Sequence, residues 1–296
     1  MSAAAAGTGH RPLAAGAQAS YKPSMLFRAL VSWLALPVYV WQGAGVRLRT
    51  RRMAPAAGPV IDRVPGKGEP VRLLVLGDSS AASVGIARTD GGLAAGLAPL
   101  IAAATGRPVE WRAAGFNSAT AGQLRDFVVP NLAHEPWTHI VVSVGTNDAK
   151  NFHTVRRFKR EFGGLVYALR ARWPQAHIFW SPVIDMACVP ALPALLGRLL
   201  EIRAGLLNRM GERLCRERGV TAAARLPVED PSTGFCQDGF HASEAGYAAW
   251  ARHMAPLLVA TLSPAVSPPS ASSPRSPARR SSRSRSASAG PAGPAA

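Results

Sequence analysis

Residues 71–80 read VRLLVLGDSS, and this stretch indicates the class of fold. Five of its first seven residues are Val or Leu, which is typical of a strand buried on both faces of a parallel sheet. The residues that follow, Gly77 to Ser80, are the types that end a strand and cap a helix. The stretch therefore predicts a buried strand that turns directly into a helix.

The same alternation continues along the chain. Further apolar runs predict strands, and amphipathic or Ala- and Leu-rich stretches between them predict helices. The strand candidates after the first are residues 108–115, 138–145, 176–182 and 219–226. The alternation predicts an α/β fold, a three-layer α/β/α sandwich around a five-stranded parallel sheet. Reactive groups in such a fold lie beyond the carboxyl ends of the strands.

Three of the predicted strands end in residues that can take part in catalysis. Ser79 follows the first strand at the start of a helix, where backbone amides stabilise negative charge. Gly115 ends the second strand with an unobstructed N–H. Asn147 follows the third strand in the segment Gly145-Thr146-Asn147-Asp148 and offers a neutral amide donor. Taken singly, each motif also suits an ordinary turn.

A fourth motif, Asp238-Gly239-Phe240-His241, precedes the last predicted helix. A carboxylate three residues before a histidine can hold one imidazole nitrogen, which leaves the other free to accept a proton from a hydroxyl. Alone, this spacing is a weak signal. Its value comes from its position after the other three motifs.

Taken together, the motifs resemble those of the SGNH hydrolases, the GDSL-type esterase and lipase superfamily. The resemblance covers residues 71–260 and rests on GDS at 77–79, Gly115, GTND at 145–148 and DGFH at 238–241. It implies a flavodoxin-like fold and a serine hydrolase that needs no cofactor or metal. The chain departs from the common pattern at Ser80, where many relatives have Leu, and at Ala242, where Pro is common.

The resemblance also implies a role for each matched residue. Ser79 is the expected nucleophile, His241 the general base and then acid, and Asp238 the residue that orients His241. The oxyanion hole is expected to combine the N–H groups of Ser79 and Gly115 with the side-chain amide of Asn147.

Residues 183–196, VIDMACVPALPALL, form an apolar segment after the fourth strand. We expect Val183, Met186, Val189 and Leu192 to form a wall against an acyl chain, because apolar pockets select aliphatic groups. A plain buried connection is the alternative. The preferred substrate is a lipid ester or a short-to-medium acyl ester or thioester. A carbohydrate O-deacetylase and a catalytically silent scaffold tethered to a membrane are the other hypotheses.

The ends of the chain carry most of its net charge of +17. Residues 1–70 have 9 basic and 2 acidic side chains, and residues 261–296 have 5 basic and none acidic. Both residues 1–24 and the Ser-, Pro- and Arg-rich residues 261–296 are predicted to be disordered. The tail has no aromatic residues to stack on bases, so no specific nucleic-acid binding is expected.

Residues 25–46 are almost entirely apolar and precede a basic linker, residues 47–70. We expect this segment to be a membrane anchor or an interfacial helix, so that residues 25–52 meet a membrane surface. A signal peptide and an extra helix packed on the domain are the alternatives. The arginines that follow favour a cytoplasmic location for the hydrolase domain, and three cysteines without a CxxC pair suit a reducing compartment.

Overall fold

The computed structural model describes residues 25–49 and 53–262. The predictions for residues 1–24 and for the tail beyond residue 262 lie outside the described residues. The strands are β1 Ile61–Val64, β2 Val71–Gly77, β3 Val109–Gly115, β4 His139–Ser143, β5 His177–Ser181 and β6 Thr221–Ala222. The helices are α1 Met25–Leu34, α2 Leu36–Arg49, α3 Leu93–Thr105, α4 Ala121–Gln123, α5 Thr146–Lys150, α6 Val155–Arg172, α7 Ala194–Glu217, α8 Pro231–Gly234 and α9 Glu244–Ala260.

The described strands form one sheet in the order β1-β3-β2-β4-β5-β6. Strands β2 to β6 run parallel to one another, which confirms the predicted parallel sheet and its flavodoxin-like order. The chain moves outward from β2 to β3 and then returns to place β4 on the other side of β2. Ligands bind at such a reversal, beyond the carboxyl ends of the strands.

The sheet differs from the prediction at its edge, where β1 pairs antiparallel with β3. This strand lies inside residues 47–70, which were predicted to be a linker, so that prediction is wrong for residues 61–64. The reason is that β1 reads IDRV with three exposed residues. An exposed edge strand of four residues lacks the apolar run by which a buried strand is detected.

Helices cover both faces of the sheet, as the three-layer sandwich predicts. Side chains alternate along β2, so that Leu73 and Val75 pack with α3 and α9 on one face. Leu74 and Leu76 point to the other face and share a core with α6 and α7. Both faces of β2 are therefore buried, which holds the turn after Gly77 in a fixed place.

Three other elements differ from the prediction. The helix expected directly after Gly77 begins only at Leu93, and residues 78–87 form turns and bends. The stretch between the second and third predicted strands, where the alternation predicts a helix, forms the short α4, a π turn at Leu124–Val128 and a 3-10 turn at Val129–Asn131. Residues 219–226, predicted as a strand, pair with β5 only at Thr221 and Ala222. Pro130 lies in the first positions of the 3-10 turn, where its missing backbone N–H removes one hydrogen bond of an α-helix.

The apolar N-terminal segment forms α1 and α2, which bend by 57° and pack against α7. No single helix among the described residues has the length and apolarity to cross a bilayer, whereas this bent pair meets both criteria together. We call α1 and α2 the N-terminal helix pair.

Candidate active site

A cavity of about 530 Å³ opens at the carboxyl ends of the parallel strands. Ser79, Asn147 and His241 all line it. They arrive from the turn after β2, from α5 after β4, and from the loop before α9. The fold thus gathers at one edge of the sheet three residues that are far apart in the sequence.

Asp238 and His241 form a directly hydrogen-bonded pair, with 2.6 Å between Asp238 Oδ2 and His241 Nδ1. The other oxygen, Oδ1, accepts from the backbone N–H groups of Phe240 at 2.8 Å and His241 at 2.9 Å. The Asp238 side chain is 1% exposed. Burial raises the pKa of Asp238, but these hydrogen bonds outweigh it and hold the pKa well below its usual range. Asp238 is therefore a carboxylate, and it fixes the orientation of the imidazole.

Buried hydrogen bonds hold the turn that carries Ser79. Asp78 Oδ1 accepts from both the backbone N–H and the hydroxyl of Ser80, each at 3.1 Å. From α9, the Tyr247 hydroxyl donates to the Val84 carbonyl at 2.9 Å and approaches the Ser79 carbonyl at 3.5 Å. Burial raises the pKa of Tyr247, so this phenol stays protonated as a donor. The Ser79 turn and α9 are thereby joined.

Asn147 lies beside the Ser79 turn with its side-chain amide fully engaged. Its Nδ2 donates to Asp78 Oδ2 at 3.1 Å and to the Ala119 carbonyl at 3.0 Å. Burial raises the pKa of Asp78, an effect that the hydrogen bonds from Ser80 partly offset. A new acceptor in the cavity can gain a hydrogen bond from Asn147 only by replacing one of these two partners.

A buried polar cluster lies directly behind Asn147. Asp148 accepts from the Ala121 N–H at 3.1 Å and lies 3.0 Å from His153 Nδ1, which is 3.5 Å from Glu161 Oε2. The ligand atoms of Asp148, His153 and Glu161 lie within 4.8 Å of one another, a spacing that can hold a metal ion. The hydrogen bonds already account for Asp148 and tie α5 to α4, whereas Glu161 of α6 meets His153 only in the 3.5 Å contact.

Gly115 is the last residue of β3, next to the end of β2 from which the Ser79 turn leaves the sheet. Gly115 pairs with Gly77 in the register of β2 and β3 and is not among the described residues that line the cavity. Its φ is +154°, and a Cβ at this position would overlap the carbonyl oxygen of Gly77. Gly115 therefore permits the close approach of β3 to β2 at the base of the Ser79 turn.

Replacing Gly115 by Ala is expected to lower the free energy of unfolding by more than about 3 kcal/mol, because the new methyl group displaces β2 backbone. Gly106→Ala is the matched control, since Gly106 also has a positive φ but nothing within 4 Å of its Cβ position. Gly106→Ala should lower the free energy of unfolding by only about 1–2 kcal/mol, which is the cost of placing an alanine in the left-handed conformation. Urea unfolding monitored by circular dichroism measures both values, and equal losses would contradict this role for Gly115.

Three of the four residues predicted to form an acyl wall line the cavity, namely Val183, Met186 and Val189. All three are buried and belong to one apolar cluster with Leu196, Leu200 and Ala204 of α7. Leu192 packs against the same cluster but is not among the residues that line the cavity. The segment after β5 is thus both a buried connection and a wall.

Several residues that support the site were not found from the sequence. Besides Tyr247, they include Cys236, whose thiol lies 3.2 Å from Asp238 Oδ1, and Lys150, whose Nζ lies 5.0 Å from the Phe240 ring centroid. Burial lowers the pKa of Lys150 while the nearby Asp78 raises it. Of these residues, only Cys236 could have been found from the sequence, because it lies two residues before Asp238.

Comparison with known proteins shows which family the chain resembles. The family model of the GDSL-like lipase/acylhydrolases matches residues 75–249, which includes all four motifs. No curated protein sequence matches the chain. Among solved structures, TesA is 22% identical and superposes with a TM-score of 0.50 over 63% of this chain and 97% of its own.

The lipase Lip_vut3 from a goat rumen metagenome is 13% identical, with a TM-score of 0.50 over 62% of this chain and 95% of its own. At these identities the two structures support the fold. The match to the family model spans more than half of the chain. The chain belongs to the GDSL-like lipase/acylhydrolase family.

Proposed function

We propose that this protein hydrolyses carboxylic esters through an acyl-enzyme on Ser79. The observation that carries the proposal is the 2.6 Å pairing of His241 with a buried carboxylate in the same cavity as Ser79. Asp238 holds Nδ1, so Nε2 faces the cavity as a proton acceptor. A serine that lines the same cavity as such an imidazole provides the two groups that acyl transfer requires.

In the first half of the reaction, His241 Nε2 takes the Ser79 hydroxyl proton while Oγ attacks the ester carbonyl. The imidazolium then gives this proton to the departing alcohol, and the carbonyl re-forms as an acyl-serine. In the second half, water attacks the acyl group, His241 accepts its proton, and Ser79 leaves with that proton. The Asp238 carboxylate stabilises the imidazolium in both halves.

The negative oxygen of the tetrahedral intermediate needs donors fixed before the reaction. The Ser79 N–H and the Asn147 amide supply them in this proposal, with Asn147 exchanging its 3.1 Å bond to Asp78 for the oxyanion. Gly115, for which the same role was predicted, stays a predicted third donor beside its structural role in the sheet described above.

The walls of the cavity suggest the substrate. Val183, Met186 and Val189 offer an apolar surface for the acyl group, which supports a short-to-medium acyl or lipid ester. On the other hand, Glu229, Asp230, Arg252 and His253 also line the cavity. These polar groups suit a hydroxylated alcohol, so removal of an acetyl group from a carbohydrate is the second candidate.

Covalent labelling tests the serine mechanism directly. The full-length protein is incubated with a fluorophosphonate and digested, and mass spectrometry is expected to find the adduct on Ser79. Heat-denatured protein is the control and should remain unlabelled. Absence of both labelling and hydrolysis of p-nitrophenyl acetate, butyrate, octanoate and palmitate would favour the catalytically silent scaffold.

Substitution in the apolar wall is expected to change the acyl length that is accepted. Val189→Phe narrows the cavity, so kcat/KM for p-nitrophenyl octanoate should fall about tenfold, with little change for the acetate. Leu192→Phe is the matched control, because Leu192 is not among the lining residues. Equal effects on both esters in Val189→Phe would show that the acyl group does not bind against this wall.

A further inference from the structure

The N-terminal helix pair exposes an almost entirely apolar surface. Between Phe27 and Arg49 twelve residues are exposed, and ten of them are apolar. We call these ten the outer face: Phe27, Leu30, Trp33, Leu34, Leu36, Pro37, Val40, Trp41, Ala44 and Leu48. The exposed fractions reach 72% for Leu34, 82% for Trp41 and 87% for Leu48. Helices on a protein surface normally turn their apolar side inward.

The opposite side of the pair is fixed to the domain by polar contacts. Arg203 of α7 is 5% exposed and donates to Ser32 Oγ at 3.4 Å. The Tyr39 hydroxyl donates to the carbonyl of Lys150, the last residue of α5. These contacts determine which side of the helix pair faces outward.

An apolar surface of this kind marks a binding site, because isolated soluble domains rarely expose contiguous apolar patches. The charges near the patch select the partner. Residues 25–49 contain Arg28, Arg47 and Arg49 and no acidic residue, and Arg47 and Arg49 are the two exposed residues that are not apolar. Apolar side chains beside arginines match a bilayer with anionic headgroups. A second copy of the chain would bring like charges together.

We propose that the outer face of the N-terminal helix pair binds the surface of an anionic lipid bilayer while the pair stays packed on the domain. The outer face enters the boundary between headgroups and acyl chains, and Arg47 and Arg49 meet the headgroups. The pair lies on the bilayer rather than across it, because crossing would strip Ser32 and Tyr39 of their partners in the domain.

This placement has a consequence for the substrate, which rests on the proposed function. Tyr39 and Val46 of the pair pack against the apolar cluster that contains Val183, Met186 and Val189. Those three residues also line the cavity. One layer of side chains therefore connects the membrane-binding helices with the acyl wall, and esters of membrane lipids are the substrates that this arrangement favours.

Vesicle flotation tests the bilayer proposal with the full-length protein. Vesicles of phosphatidylcholine with about 30% phosphatidylserine should carry the wild-type protein, and pure phosphatidylcholine should carry less. In the double variant Leu34→Glu, Trp41→Glu, binding should weaken about 100-fold or more, since two apolar anchors are replaced by anions. Phe127→Glu is the matched control, because Phe127 is 63% exposed outside the helix pair and should not contribute.

Two further measurements separate this proposal from its rivals. At 1 M NaCl the charge contacts of the basic ends are screened. Part of the wild-type binding should persist under these conditions, whereas the double variant should not bind. All variants should hydrolyse p-nitrophenyl butyrate like the wild type, so a loss of binding cannot be confused with failure of the proposed function. Equal binding by the double variant, retention in alkaline carbonate, or a dimer that the double variant dissociates would overturn the proposal.

Discussion

Ser79→Ala is expected to lower kcat for p-nitrophenyl butyrate by about 10⁴-fold or more, with little change in KM. The reason is that the acyl-enzyme no longer forms, so only direct attack of water within the cavity remains. The free energy of unfolding should change little, because Ser79 is only partly buried. Initial rates over a range of substrate concentrations, together with urea unfolding, measure both quantities.

The neighbouring Ser80→Ala provides the matched control for this prediction. The Ser80 hydroxyl is buried between Asp78 at 3.1 Å and Ser143 at 2.7 Å. Its removal should therefore lower the free energy of unfolding by about 1–3 kcal/mol. Fluorophosphonate labelling should persist in Ser80→Ala and vanish in Ser79→Ala. A Ser79→Ala variant that retains more than a tenth of the wild-type rate would refute the nucleophile assignment.

Asp238→Asn is expected to lower kcat by about 10³- to 10⁴-fold. The asparagine oxygen can still accept from the N–H groups of Phe240 and His241, so the loop is kept. Its amide group, however, then donates to His241 Nδ1, which forces the proton onto Nε2. The imidazole can no longer accept the proton of Ser79. Steady-state kinetics with p-nitrophenyl butyrate measures this loss.

Asp185→Asn is the control for that substitution. Asp185 also caps a turn, accepting from the Ala187 N–H at 2.9 Å, and it is not among the residues that line the cavity. Its replacement should leave kcat within about twofold of the wild-type value. If Asp238→Asn also retained kcat within tenfold, orientation of His241 by Asp238 would not be needed for catalysis.

The contribution of Asp238 to the free energy of unfolding should depend on pH, and a comparison of the wild type with Asp238→Asn measures it. Because folding lowers the pKa of Asp238, the carboxylate stabilises the fold at pH values above its ordinary pKa of about 4. This contribution is lost as the pH falls through the folded pKa. The wild-type advantage over Asp238→Asn in free energy of unfolding should therefore shrink below about pH 4.

The central strands could be predicted because burial on both faces leaves an apolar run in the sequence. Residues 71–77 and 139–143 are of this kind, and every residue of β4 is buried. The edge strand β1 could not be found in this way, since its stability comes from pairing with β3 rather than from its own composition. The predicted fifth strand was longer than β6 because GVTAAARL stays largely apolar on both sides of the two residues that pair.

The parts of the site that lie next to each other in the sequence were also predictable. Asp238 and His241 are three residues apart, and their hydrogen bond follows from that spacing. The support given by Tyr247 depends on contact with Val84, 163 residues away, which no single sequence displays. Gly115 illustrates a different limit. A glycine at the end of a strand suits close packing in the sheet as well as it suits a ligand, and the sequence alone does not distinguish these two roles.

The docking of the N-terminal helix pair on α7 has a consequence for the time course of synthesis. The pair leaves the ribosome about 150 residues before the helix that receives it, an interval of roughly 7–30 s at 5–20 residues per second. Throughout that interval α7 is not yet present to pack against the apolar side chains of the pair. A membrane met during translation can therefore capture the pair first, and the domain then completes its fold against helices that already lie on lipid.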